Sequence, residues 1–162
     1  MSAEPLRGRA QAGQAIRRVA PIGVLLLAVV MMVAPRPALA DAPDLPAADR
    51  QAIQAVIVQQ IAAFRRDDGE AAFAFAAPRI REIFATPDNF MRMVREGYQP
   101  VYRPREVNFG TLSTLEGRLV QHVLLIGPDG APVTALYFME LQPDGSWKIS
   151  GCILTTAEDK ST

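Results

Sequence analysis

The sequence predicts an α+β domain in which N-terminal helices pack on a curved antiparallel sheet of about four strands. After residue 46, apolar residues recur every three to four positions, which indicates amphipathic helices. The second half alternates instead, and Pro-Asp-Gly turns at 128–130 and 143–145 separate its apolar runs. Helices followed by hairpin-linked strands favour a layer of helices on one face of a sheet. A sheet that curves around such helices would form a half-open cone with a pocket at its mouth.

The first forty residues have the pattern of a secretory signal peptide. Arginines at positions 7, 9, 17 and 18 precede an apolar run from Ile22 to Ala34, and Ala38-Leu39-Ala40 before Asp41 forms a small-x-small cleavage site. The apolar run is shorter than the roughly 20 residues that a membrane-spanning helix needs. We therefore predict cleavage after Ala40 and a periplasmic or secreted protein. An uncleaved anchor and export by the twin-arginine route are the alternatives.

Removal of this leader leaves a flexible stub at 41–46, a single domain at 47–155 and a polar tail at 156–162. Residues 41–162 hold 12 Lys or Arg and 16 Asp or Glu, so the formal net charge changes from 0 to −4 on processing. A mildly acidic surface with interspersed charges has no footprint for nucleic acid or for an anionic membrane. Contact with the membrane is therefore expected only through the signal peptide.

The chain has one cysteine and one histidine, and their scarcity limits its chemistry. Cys152 cannot form an internal disulfide, although the predicted compartment is oxidising. It lies in an apolar run and is expected to be a small buried strand residue, with a reactive thiol or an intermolecular disulfide as alternatives. A zinc site would need three or four ligands at suitable spacing. We predict no metal site and no cofactor.

Local signals place each element in order. Asp49 suits the start of the first helix, and Asp67-Asp68-Gly69 ends it. Thr86-Pro87-Asp88 combines a cap, a first-turn proline and an acid, and so begins the last helix, which closes near Gly97. The predicted helices lie at about 47–66, 70–77, 78–84 and 87–97, and the predicted strands at 103–112, 118–126, 133–141 and 147–155.

The stretches 49–53, 63–68, 90–104 and 145–152 form a distinctive set, of which Gly97-Tyr98-Gln99-Pro100-Val101-Tyr102-Arg103-Pro104 is the most specific part. Together they resemble a bacterial family of exported proteins, the domain of unknown function 4864 family. The resemblance covers residues 47–155 and implies the fold and the exported habit, with no assigned activity. A helix that ends in Ala63-Phe64 with Asp68 four residues later, followed by strands, is also similar to the nuclear-transport-factor-2-like cones.

The segment Tyr98–Arg105 is the first candidate for ligand or partner contact. Two prolines stiffen this loop between the last helix and the first strand, and its Tyr and Arg residues are types enriched at binding hot spots. Alternatively, the tyrosines pack a corner of the fold with their hydroxyls on backbone groups, and the arginines pair with nearby acids. The candidate contact residues are Tyr98, Tyr102, Arg103 and Arg105, with Tyr137 in the third strand.

His122 and Glu140 are the candidates for acid–base catalysis. Strict alternation places His122 mid-strand on one face with Val120 and Leu124. A general base there would need a carboxylate partner, such as Glu140 or Asp67 across the cone. Alternatively, His122 is a strand residue with a satisfied hydrogen bond, and Glu140 faces solvent.

The absence of a catalytic constellation in the sequence favours a small exported binding domain that holds an apolar ligand or a partner protein of the envelope. A hydrolase or isomerase that uses His122 or Glu140 is the alternative, and a structural envelope component is a third hypothesis. The edge strands of such a sheet could pair two copies, so a homodimer is a further expectation.

Overall fold

The computed structural model describes residues 40–41 and 45–156, and it confirms the α+β class. Apart from a two-residue strand, β1, the described helices come first and the strands follow. The helices are α1 Ala47–Arg65, α2 Gly69–Ala74, α3 Pro78–Phe84, α4 Pro87–Gly97 and α5 Gln99–Tyr102. The strands are β1 Ala40–Asp41, β2 Glu106–Leu115, β3 Arg118–Ile126, β4 Pro132–Leu141 and β5 Trp147–Thr155.

Side-chain caps fix the starts of α2 and α4. A side-chain oxygen of Asp68 accepts a hydrogen bond from the amide of Ala71 at 3.0 Å, and the Thr86 hydroxyl accepts one from the amide of Asn89 at 3.3 Å. Each cap satisfies one of the amide groups that a helix leaves unpaired in its first turn. Asp67, with a φ of 56°, reverses the chain between α1 and α2, so the predicted helix stop is present.

The sheet is an antiparallel meander in which the strands pair in the order β1-β2-β3-β4-β5. The two Pro-Asp-Gly turns lie where the sequence predicts them, and Gly130 and Gly145 adopt φ values of 87° and 82° there. Such positive values are easily reached only by glycine. The register shifts between Phe109 and Leu112 in the β2–β3 pair and between Phe138 and Met139 in the β4–β5 pair. Irregularities of this kind bend a sheet, which lets it curve around the helices.

The hydrophobic core lies between the helices and one face of the sheet, which we call the inner face. Its residues from α1 recur at helical spacing, as the sequence predicts, and alternate residues of β3, β4 and β5 meet them. The indole N–H of Trp147 donates to a carboxylate oxygen of Asp49 at 3.0 Å and ties the start of β5 to the start of α1. Inner-face core residues include Val123, Leu125, Ala135, Tyr137, Met139, Trp147 and Ile149.

The segment before β2 differs from the prediction. A loop was expected at Tyr98–Arg105 and a strand from Arg103, but Gln99–Tyr102 forms the short helix α5 and β2 begins at Glu106. The carbonyl of Tyr98 accepts hydrogen bonds from the amides of Val101 and Tyr102, both at 2.9 Å, and this closes the helical turn. Pro100 is compatible with a first turn, whereas Pro104 lacks the N–H that a strand ladder uses.

Residues 1–39 of the predicted signal peptide, including Ala38, lie outside the described residues, as do residues 42–44 and 157–162. Ala40 and Asp41 form β1, which pairs with Thr114 and Ser113 of β2. Across the described ranges, no helix is both long enough and apolar enough to traverse a bilayer.

Candidate functional site: an apolar cavity between the helices and the sheet

A cavity of about 400 Å³ lies between the helical layer and the inner face of the sheet. Helices α1, α3, α4 and α5 supply one side, and β4 and β5 supply the other. Ligand pockets in proteins are usually about 300–1,000 Å³, so the cavity has the size of a small-molecule site. Its lining consists of Gln60, Phe64, Ala76, Ile80, Ile83, Phe84, Phe90, Met93, Val94, Tyr98, Val101, Tyr137, Ile149, Gly151 and Cys152.

Aromatic rings build the helical wall of the cavity. The Phe90 ring of α4 lies 6.0 Å from the Phe64 ring, 5.6 Å from the Phe84 ring and 5.3 Å from the Phe73 ring, measured between centroids. Tilted and edge-on ring pairs at these separations are favourable beyond the area that they bury. Helices α1, α2 and α3 therefore each contribute a ring that packs against the Phe90 ring of α4, and these contacts hold the wall together.

Polar groups are few and lie mainly at the sheet side. Tyr137 and Cys152 face each other as paired residues of β4 and β5, and the Tyr98 hydroxyl donates to the Cys152 carbonyl at 3.1 Å. Gln60, in the wall from α1, donates its side-chain amide to the Ala72 carbonyl at 3.2 Å. The Tyr137 hydroxyl is different, because it is buried and bonds to no group in the part of the chain that the structure describes.

The ionisable groups at this end of the cavity are uncharged at neutral pH. Burial raises the pKa of the Cys152 thiol to about 12. Burial also raises the pKa of Tyr137 well above its usual value, with a further contribution from nearby Cys152, and it raises the pKa of Tyr98 for the same two reasons. Removing a charged group from water is unfavourable, so all three side chains keep their protons. A thiol of this kind is a poor nucleophile.

Helix α3 forms the rim of the cavity. None of its seven residues is buried, and Ile83 is 59% exposed although it lines the cavity. A shallower depression on the surface shares Ile83, Phe84 and Met93 with the cavity, so the opening lies where α3 meets α4. This is the side from which a ligand could enter.

Tyr102 and Arg103 lie in an exposed polar cluster outside the cavity lining. The Tyr102 hydroxyl donates to Asp67, Arg103 Nη2 donates to Asp67 Oδ2 at 2.8 Å, and Arg95 pairs with Asp67 Oδ1 at 3.5 Å. The Tyr102 hydrogen bond, followed by the charges of Arg103 and Arg95, lowers the pKa of Asp67. The Arg103 guanidinium also lies 4.8 Å from the centre of the Tyr102 ring. These groups join the α1–α2 turn to α4 and α5, as the alternative interpretation of this segment expected for the arginines.

Arg105 also bonds within the fold, because its guanidinium donates to the Pro128 carbonyl. Its backbone amide donates to the Ile126 carbonyl at 2.8 Å. Arg105 therefore joins the start of β2 to the β3–β4 turn, away from the cavity lining.

His122 and Glu140 lie on the outer face of the sheet, opposite the helices. His122 pairs with Leu136 of β4, and its Nε2 lies 2.8 Å from the Ser113 hydroxyl. Glu140 lies four residues further along β4 than Leu136, which is about 13 Å at the rise of a strand. Glu140 is exposed and accepts from the Gln142 side chain at 3.1 Å. The structure does not bring His122 and Glu140 together, and Asp67 is held in the cluster described above.

No group of three or more His, Cys, Asp or Glu side chains in the described residues is arranged to hold a metal ion. None of the residues that line the cavity is charged. The chemistry that the cavity offers is therefore apolar contact and hydrogen bonding.

Comparison with known proteins adds a family. The model of the family described as "Domain of unknown function (DUF4864)" matches residues 46–162. The chain belongs to this DUF4864 family. No curated protein and no solved structure matches the chain. The predicted likeness to nuclear-transport-factor-2-like cones accordingly stays a prediction, and the family description assigns no activity.

Of the predicted contact residues, the DUF4864 domain brings Tyr98 and Tyr137 together at the cavity and places Tyr102, Arg103 and Arg105 elsewhere. Sequence reasoning missed Gln60. A signal for it was present, because Gln60 lies within the apolar stripe of α1, three residues after Ile57 and four before Phe64. Cys152 was predicted as a small buried residue; it is half-buried and lines the cavity.

Proposed function

We propose that the mature domain is an exported binding protein that holds a small apolar molecule in the cavity between its helices and its sheet. The observation that carries this proposal is the apolar cavity of about 400 Å³, where the described residues leave one buried hydroxyl, that of Tyr137, unbonded. Binding sites combine mainly hydrophobic walls with a few polar groups that orient the ligand. In this cavity the aromatic rings of the helices form the hydrophobic wall, and Tyr98, Tyr137 and Cys152 supply polar groups at the sheet side.

Two other hypotheses have less support. A general base needs its partner within hydrogen-bond reach, and the separation of His122 from Glu140 argues against catalysis by that pair. Recognition by the arginines of the Tyr98–Arg105 segment would have to break bonds, because Arg103 is engaged with Asp67 and Arg105 with the Pro128 carbonyl. Ligand binding in the cavity therefore has more support than catalysis by His122 and Glu140 or recognition by the arginines.

A neutral apolar fluorophore tests ligand binding. Protein produced from the full-length sequence and purified after export would be titrated with N-phenyl-1-naphthylamine, whose emission rises in an apolar site. Val94 is buried in the wall from α4, and Val94→Phe adds a ring inside the cavity. We expect this substitution to weaken fluorophore binding about tenfold or more, because overpacking removes the space that the ligand needs.

Val58→Phe is the matched control, because it adds the same ring at a position of α1 that is 49% exposed. Its affinity should equal that of the unaltered protein. Met93→Trp at the half-buried rim is a second blocking variant, and circular dichroism would check that each variant is folded. Equal affinity in all four folded proteins would place the fluorophore outside the cavity and overturn the proposal.

The exported location has its own test. N-terminal sequencing of the purified protein should begin at Asp41. Exported protein that begins at Met1 would show that the leader is not removed.

A further inference from the structure

The Tyr137 hydroxyl is a donor without a protein partner in a position that needs one. Tyr137 is 0% exposed, and no group of the described chain bonds its oxygen. More than nine in ten buried polar groups in native proteins have a partner, because an unmade hydrogen bond leaves the cost of desolvation uncompensated. Tyr137 is among the residues that line the cavity, so its hydroxyl is a candidate contact for a ligand once the wall opens around it.

Of the two tyrosine hydroxyls in the described lining, that of Tyr137 is the one without an acceptor. The Tyr98 hydroxyl already donates to the Cys152 carbonyl, and one N–H of the Gln60 side-chain amide donates to the Ala72 carbonyl. A phenol has a single O–H to donate. The missing partner of Tyr137 is therefore one acceptor atom, which a ligand oxygen can supply.

The lining also selects against charge. It contains no Lys, Arg or His that could pair with an anion and no Asp or Glu that could pair with a cation. An ionised group moved from water into such a site stays unpaired, at a high cost in free energy. Tyr98, Tyr137 and Cys152 remain protonated, since burial raises the pKa of each. A carboxylate at this end of the cavity would have no positively charged partner among the described residues, so its binding is disfavoured. An uncharged oxygen needs no such partner.

The volume limits the size of the molecule. A water molecule occupies about 30 Å³ in the liquid, so 400 Å³ corresponds to about a dozen groups of that size. The aromatic and aliphatic walls would enclose the apolar part, and the opening beside α3 would admit it.

We infer that the cavity binds a small, neutral, largely apolar molecule whose single acceptor oxygen receives a hydrogen bond from the Tyr137 hydroxyl. Medium-length ketones, aldehydes and esters have this chemistry, and fatty acids do not. The inference rests on the proposed function, and it specifies in addition that the ligand is uncharged and carries one hydrogen-bond acceptor.

Three probes of matched length separate these properties: 2-undecanone, undecane and decanoate. Each would displace N-phenyl-1-naphthylamine from the purified protein at pH 8, where decanoate is ionised. We expect 2-undecanone to bind more tightly than undecane, and decanoate to bind most weakly. Tyr137→Phe should weaken 2-undecanone about threefold to tenfold and leave undecane unchanged, because a single hydrogen bond is lost.

Tyr102→Phe is the matched control, since the same hydroxyl is removed from a residue outside the cavity lining. It should leave the ratio of ketone to alkane affinity unchanged. If that ratio is the same in Tyr137→Phe as in the unaltered protein, or if decanoate binds more tightly than the ketone, the inference is wrong while ligand binding stands. If no probe displaces a fluorophore that Val94→Phe does block, the inference is likewise wrong. The proposed function itself fails only if the fluorophore does not bind or binds the Val94→Phe variant equally well.

Discussion

At the residue scale, Tyr137 combines a position in the core with a hydroxyl that has no partner in the described part of the chain. Its aromatic ring fills the core, yet its hydroxyl is buried without a partner among the described residues. Proteins tolerate such local costs mainly at functional positions, where a group that is unfavourable in the free protein makes a bond in the complex. Tyr98 is a useful comparison, because its hydroxyl is bonded to the Cys152 carbonyl.

Tyr137→Phe should therefore stabilise the ligand-free protein. Removing an unbonded buried hydroxyl is expected to raise the free energy of unfolding by about 1 kcal/mol and Tm by a few degrees. Tyr98→Phe should act in the opposite direction by a similar amount, because it leaves a carbonyl without its donor. Thermal melts of the purified proteins measure both effects. A Tm that falls in Tyr137→Phe would mean that its hydroxyl is bonded in the free protein.

Cys152 gives the domain a dependence on alkaline pH. Burial raises the pKa of its thiol from 9.0 to about 12, so the folded protein keeps a proton that the unfolded chain releases. Because the unfolded state binds fewer protons in this range, the free energy of unfolding decreases as the pH rises from about 9 to about 12.

Denaturant melts between about pH 8 and about pH 11 would measure this dependence. Cys152→Ala should show a shallower decrease in stability, since the thiol no longer contributes. Identical slopes for the two proteins would contradict the assigned burial of the thiol.

At the element scale, α3 is the helix most suited to move. It has no buried residue, whereas its N-terminal side is fixed to the sheet by the Ala77 amide, which donates to the Ile149 carbonyl at 2.8 Å. At its other end Ala85 has a φ of 62° and a ψ of −39°, and the Thr86 amide donates to the Phe84 carbonyl at 2.7 Å. This is a γ-turn of the strained type. We expect a helix that is anchored at its start and strained at its end to move as a lid over the cavity.

Hydrogen exchange tests the role of α3. Its backbone amides should exchange quickly in the free protein, because few buried contacts hold the helix. Saturation with N-phenyl-1-naphthylamine should slow the exchange of α3 amides and leave α1 amides unchanged, since α1 is already held by the core. Equal slowing in both helices would indicate general stabilisation and no lid.

The elements that local chemistry specifies could be predicted from the sequence. Thr86-Pro87 marks the start of α4, and the glycines of the two Pro-Asp-Gly turns set the ends of β3, β4 and β5. Helix α5 could not be predicted in this way. Pro100 suits a stiff loop and a helical first turn equally well, and contacts with the distant residue Asp67 accompany the helix.

At the scale of the whole molecule, the fold class follows from the order of helical and alternating segments, but the cavity does not. Tyr98 and Cys152 are 54 residues apart in sequence, and Tyr137 meets Cys152 only through the register of β4 and β5. That register includes a shift between Phe138 and Met139 that no turn residue signals. Periodicity predicts the apolar stripe of α1 and groups alternate strand residues on one face. It does not say which face of the sheet meets the helices, and the space left between the two layers depends on how they pack.

The arrangement of the whole domain also supports the proposal that its cavity serves binding. The single histidine lies on the outer face of the sheet, and the single cysteine keeps its proton in the cavity wall. The charged side chains of the Asp67 cluster bond one another across the α1–α2 turn and α5. Among the described residues, the cavity is left as an apolar space with one unbonded hydroxyl, that of Tyr137.

A crystal structure of the purified protein with 2-undecanone tests the central claim most directly. We predict electron density for the probe between α4 and β4, with its carbonyl oxygen about 2.7 Å from the Tyr137 hydroxyl oxygen. Density elsewhere on the protein, with the cavity closed by the side chains of its own walls, would contradict the account.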